Sequence, residues 1–200
     1  MRANPGASTN QARAIFQRAL DEIQNTNGPA IAAAARRQVG KTVSYDPAYA
    51  RLAYPMGDVP LEKGVCTDVV VRALRDALAM DLQQLMHEDM TAAFAAYPNN
   101  WGLARPDRNI DHRRVPNMRV YFERKGFALA VTGNPENYEP GDFVTCVVAG
   151  NRPHIMIVSD KKNARGVPLI LHNIGRGARE EDGLFSFPLT GHYRVREFHR

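Results

Sequence analysis

The chain has 200 residues, of which 44% are hydrophobic and 24% charged, and it carries a formal net charge of +5 with a pI near 9.4. This composition suits one soluble domain with a substantial hydrophobic core. Two cysteines exclude a disulfide framework, and no stretch approaches the length of a membrane-spanning helix, so no membrane insertion is expected. The basic balance favours acidic partners or anionic surfaces. No long Lys/Arg run accompanies it, though. The densest basic piece, "DHRRVPNMR" at 111–119, is short with acidic neighbours, so no nucleic-acid partner is expected. The start, "MRANPGASTNQARA", lacks the apolar core of a signal peptide.

Along the chain, Ala12, Ile15, Phe16, Ala19, Leu20 and Ile23 fall at helical spacing, which predicts a helix over 9–24 as the body of an N-terminal extension (1–28). A second helix is expected in "PAIAAAARRQVG", with Pro29 in its first turn and Gly40 at its end. "SYDPAYARLAYPMGDVPLEKG" reads as a long loop with Tyr45, Tyr49 and Tyr54, the kind of segment that wraps a site. "CTDVVVRALRDAL" predicts a helix burying Val69, Val70, Ala73, Leu74 and Ala77. A short helix follows in "HEDMTAAFAAYP", capped by Asp89, then an irregular stretch around Trp101 and a helix in "NMRVYFERKGF". From there the pattern changes. "PGDFVTCVV", "HIMIVSD", "PLILHNI" and "GHYRVREF" are short apolar or alternating runs divided by turn residues. Helices first and strands afterwards indicate an α+β domain over 29–200 with a mostly antiparallel sheet.

The chemistry centres on Cys66. A thiolate at a helix N-terminus is stabilised by free amide hydrogens, and the same end can present the Cys66 N–H to a developing oxyanion. It needs a base from elsewhere in the fold. His154 opens a predicted strand, where it can reach a helix end docked on the sheet. Alternation along "PLILHNIG" puts His172 and Asn173 on opposite faces, so only one of them points at a shared site; either can orient the imidazole of His154. Arg113 and Arg114 can bind substrate carboxylates in a bidentate manner, with structural ion pairing as the alternative. Trp101 can line a groove or fill the core. "HEDM" lacks the second histidine of a zinc-protease signature, so no metal or organic cofactor is expected. Cys146, mid-strand among valines, reads as a core residue, and no Cys66–Cys146 disulfide is expected.

The ordered set "ARRQVG", tyrosine loop, Cys66 at a helix start, "PGDFV" and "HIMIVSD" resembles the NlpC family of papain-like cysteine hydrolases over residues 30–175. The matching positions are Cys66, Pro140-Gly141-Asp142, His154 and His172, with Tyr54 at the matching distance ahead of the cysteine, although Tyr45 and Tyr49 compete for that role. The usual Asp-Cys-Ser-Gly is Val65-Cys66-Thr67-Asp68 here, and the interval between Cys66 and His154 is longer than usual. "GVCTDVVVRA", "HEDM", "NIDHRRVPN", "HNIG" and "TGHYR" are similar to a bacterial group within that superfamily largely of unknown function.

The resemblance implies a papain-like fold and hydrolysis of peptide or amide bonds in peptidoglycan stem peptides, in the periplasm or after secretion. Cys66 would be the nucleophile, His154 the base, His172 (or Asn173) its orienting partner and Tyr54 an oxyanion donor. Two other classes compete: a catalytically silent binding module for wall or protein ligands, and a secreted antibacterial toxin with the same chemistry. No motif specifies the oligomeric state.

Overall fold

The computed structural model describes residues 27–195; the helix expected over 9–24 lies outside them. Helix α1 occupies 27–36 and buries Ile31, Ala32, Ala34 and Ala35. The chain turns after it and passes Gly40 at φ +77°, a left-handed conformation that glycine adopts freely. Strands β1 (Ser44–Tyr45) and β2 (Lys63–Gly64) pair in parallel, so the expected loop starts and ends as a small sheet. Buried arginines fix its interior. Arg72 donates to the Asp58 carboxylate at 2.7 and 3.0 Å and to the carbonyls of Val59 and Lys63.

Helix α2 (Cys66–Leu78) begins immediately after β2. Its N-cap residue, Val65, has no side-chain acceptor. The Asp68 carboxylate reaches back instead and accepts the Val65 N–H at 2.7 Å. Val69, Val70, Ala73 and Leu74 are buried, as the periodicity requires. Helix α3 (Leu82–Ala93) starts earlier than expected, capped by Asp81, whose carboxylate accepts the Gln83 N–H. Asp89 is therefore inside this helix rather than at its start. It accepts from Arg124, Lys125 and Tyr97 and ties α3 to α4 (Val115–Arg124).

Six strands form the main antiparallel sheet: β3 (Ala128–Leu129), β4 (Phe143–Val148), β5 (Arg152–Lys162), β6 (Pro168–Asn173), β7 (Ala178–Glu181) and β8 (Leu189–Tyr193). Their order is β3-β8-β4-β5-β6-β7. The protein is thus mixed α+β, with four α-helices among the described residues. Alternation divides the sheet between two cores. Phe143, Ile155, Ile157 and Leu171 pack with α2 and α4, while Val144, Cys146, Met156, Val158 and Ile170 pack with Tyr138 and Leu184 on the other face. Cys146 is fully buried, and both cysteines are free.

"PGD" is a fold element. Gly141 sits at φ +81°, and a Cβ there would lie 2.4 Å from the Gly28 carbonyl oxygen of α1. Buried Asp142 accepts from His192 Nε2 and Arg194 Nε, each at 2.7 Å, locking β4 to β8. Among the described residues no helix is long and apolar enough to cross a membrane.

Candidate active site

The ladder between β5 and β6 pairs Ile157 with Leu171 and Val158 with Ile170, and no pairing is formed closer to His154 and Asn173. Helix α2 packs against both strands. The Cys66 sulfur lies at the amide hydrogens of Ile155, Thr67 and Cys66 itself, all of which favour a thiolate. Burial opposes them and prevails, pushing the thiol up to about 12. Cys66 is 4% exposed. It lines a cavity of about 320 Å³ with Tyr45, Val65, Trp101, Arg113 and Pro153.

Across the same two strands and β7, His154, His172 and Glu181 form a chain of hydrogen bonds in which both rings are buried and Glu181 is exposed. His154 Nε2 lies 2.9 Å from His172 Nδ1, and His172 Nε2 lies 2.8 Å from Glu181 Oε1. The order of donors follows from chemistry. A carboxylate only accepts, so His172 Nε2 carries the proton facing Glu181. His172 Nδ1 is then an acceptor and takes the proton of His154 Nε2. The lone pair of His154 is left on Nδ1, which has no partner among the described residues. This is the tautomer a general base requires. Burial, together with the charge of His172, holds His154 down to about 3. Burial also lowers His172, against the hydrogen bond it donates to Glu181.

The structure therefore brings His154 and His172 together and places Cys66 against the residue that follows His154. It does not join thiol to imidazole: no hydrogen bond links Cys66 to either ring among the described residues. Alternation is the reason. Ile155 and Ile157 face α2, whereas His154 shares the parity of Met156 and pairs across the ladder with Cys146. His154 thus carries the parity of the sheet face opposite the one that packs on Cys66 and α2.

Four expected site residues take other roles. Tyr54 is not at the cavity; its ring meets His87 at 5.3 Å, with the Arg108 guanidinium 5.3 Å from the ring centroid. The parallel β1–β2 pairing delivers Tyr45 beside Val65 and Cys66 instead, while 56–57 is held on α3 by Asp81 and Gln83. Asn173 is fully buried. Its amide donates to the carbonyls of Ser44 and Gly64, and its oxygen accepts the Gly175 N–H, so it clamps the strand that leads into Cys66 and has no donor left for an oxyanion. Arg113 lines the cavity, but its N–H groups are engaged by Asp68 at 3.0 Å and by the carbonyls of Ala48 and Asp46. Arg114 lies 4.0 Å over the Trp101 ring, bonds Asp111 and belongs to a separate small depression.

Sequence reasoning did not find Glu181 or Pro153. Glu181 lies in a charged edge strand without apolar alternation, so neither the strand nor the contact has a sequence signal. Trp101, 39% exposed on the cavity wall, takes the groove role and not the core role. The described residues contain no cluster of His, Cys, Asp and Glu able to hold a metal.

Fold and site together define an α+β domain with a cysteine as the first residue of a buried helix and a His–His–Glu hydrogen-bond chain on the sheet it packs against. The chain belongs to the family described as "Domain of unknown function (DUF1287)", whose model matches residues 32–195. It is also 52% identical over 173 residues to the "Uncharacterized protein YijF" of Escherichia coli (strain K12), covering 86% of this chain and 84% of that protein.

Proposed function

We propose that this protein is a papain-like cysteine amidase or endopeptidase acting on amide bonds of peptidoglycan stem peptides outside the cytoplasm. The observation that carries the reading is the Glu181–His172–His154 chain, which ends in an unpartnered Nδ1 on the strand whose next residue, Ile155, has an amide that favours a Cys66 thiolate. Proton transfer from thiol to Nδ1 requires the end of β5 to close on α2 when substrate fills the cavity. Hydrogen bonds of this kind commonly tighten only in the substrate complex. The Cys66 thiolate then attacks the carbonyl carbon, and the resulting oxyanion is met by N-terminal amides of α2 and by the Tyr45 hydroxyl. The imidazolium of His154 protonates the leaving amine, leaving a thioester. Water, deprotonated by His154, releases the acid and restores the thiol. His172 and Glu181 hold the ring of His154 in its reactive tautomer throughout. No step calls for a metal or an organic cofactor.

The test combines turnover with thiol reactivity. Purified muropeptides are incubated with wild type, Cys66→Ala and His154→Ala, and the products are read by mass spectrometry. Wild type is expected to cleave and both variants to be inactive. In a Cys146→Ala background, iodoacetamide alkylation of Cys66 should accelerate below the ordinary thiol value of about 8.5 and slow without His154. A rate that rises only toward pH 12 and ignores His154, with no muropeptide cleaved, overturns the proposal. That result is the one expected of a second reading, a papain-like binding module, which the burial of a neutral thiol and neutral His154 favours.

A further inference from the structure

The wall of the Cys66 cavity is mostly apolar. Pro47, Ile110, Val115 and Pro153 contribute to it, together with the rings of Tyr45 and Trp101. Among the described residues no carboxylate side chain lines it. Its one cation, Arg113, is engaged inside the protein: Nε donates to Asp68 at 3.0 Å, and Nη1 and Nη2 donate to the Ala48 and Asp46 carbonyls at 2.9 Å. Trp101 also borders the small depression that contains Arg114, and Arg114 does not line the Cys66 cavity. The Arg114 guanidinium lies 4.0 Å from the centroid of the indole and is itself paired with Asp111. A fixed cation thus covers one face of an exposed tryptophan that stands between the two depressions.

We propose that Trp101 is a specificity residue: the cavity takes an uncharged aromatic side chain of a peptide, laid beside Cys66 against the indole face that Arg114 leaves open. A charged side chain would enter without a partner, and burial penalises it. An apolar cavity of about 150 Å³ already admits a benzene ring, so one of about 320 Å³ holds the ring and its link to the peptide. Aromatic pairs also gain beyond the area they bury. The preference rests on the cavity wall; only its use in cleavage rests on the hydrolase reading.

Trp101 is the single tryptophan of the chain, so its indole N–H gives one NMR signal that reports the cavity wall. Full-length, isotope-labelled Cys66→Ala protein is titrated with N-acetyl-phenylalanine amide, N-acetyl-glutamate α-amide and N-acetylglucosamine. Burying about 60 Å² of the benzyl ring, at roughly 25 cal/mol per Å², makes the phenylalanine compound bind about tenfold more tightly than the other two. Trp101→Leu should cut that preference by about threefold or more, and Trp101→Phe should keep most of it, both read from backbone amide signals. Trp101 is exposed, so neither change threatens the fold. An equal or tighter fit of the glutamate or sugar compound, a preference unchanged in Trp101→Leu, or an indole signal that moves with none of the three overturns the assignment. The titration uses neither the thiol nor turnover. Its failure therefore leaves the cysteine chemistry standing, and inactivity toward muropeptides leaves the preference standing.

Discussion

Arg113→Ala separates a structural arginine from a substrate-binding one. In the folded protein the Asp68 carboxylate, 4% exposed, faces the Arg113 side chain, 2% exposed, with Nε and Nη2 each 3.0 Å from its oxygens. Truncation at 113 leaves Asp68 with the Val65 amide as its main partner and strips the Asp46 and Ala48 carbonyls of their donors. Removing one member of a buried pair costs about 3–5 kcal/mol. For a domain of this size each kcal/mol lowers Tm by about 2–4 °C, so a fall of roughly 6–20 °C is expected. The cost is largely that of a stranded charge, so Asp68→Leu with Arg113→Met should recover at least half of it. Thermal and guanidinium unfolding of the four proteins by circular dichroism reads the result. An Arg113→Ala protein within about 1 kcal/mol of wild type, but impaired in ligand binding, would refute the structural assignment.

Three buried histidines, His112, His154 and His172, are depressed and set an acid limit. An ordinary histidine titrates near 6.5, whereas buried His154 is held down to about 3. Stability is therefore complete above about 6.5 and is lost as the pH falls toward 3, because the unfolded chain takes up a proton that the native ring does not. Guanidinium midpoints at pH 7.5 and 4.5 should show a smaller acid loss for His154→Asn than for wild type. Leu74→Ala removes a fully buried side chain from the centre of α2 and should cost about 2–5 kcal/mol in the same unfolding assay. Gly141→Ala combines a left-handed φ with a Cβ 2.4 Å from the Gly28 carbonyl, and a loss of at least about 1–3 kcal/mol is expected. Tyr45→Phe should reduce muropeptide turnover without loss of folding, and Tyr54→Phe should leave it unchanged; the reverse result would restore Tyr54 to the site.

Much of this molecule was legible from local pattern. The buried stripe of α2, the core position of Cys146, and the strands carrying His154 and His172 follow from side-chain periods of 3.6 and 2. Alternation also separated His172 from Asn173, but it could not say which one would meet His154. That was decided by the partners each face receives: the β1–β2 pair takes the Asn173 amide, and the edge strand β7 brings Glu181 to His172.

What the sequence determined alone is the α+β class, the helix start at Cys66, and the placement of His154 and His172 on strands, because each depends on residues close together in the chain. Only the tertiary structure decided that Tyr45 and not Tyr54 stands at the cavity, that Arg113 braces Asp68, and that Glu181 meets His172. Those choices depend on where burial and hydrogen-bond satisfaction send groups far apart in sequence. A buried guanidinium or amide takes whichever acceptors the packed chain brings to it, and no local pattern encodes them.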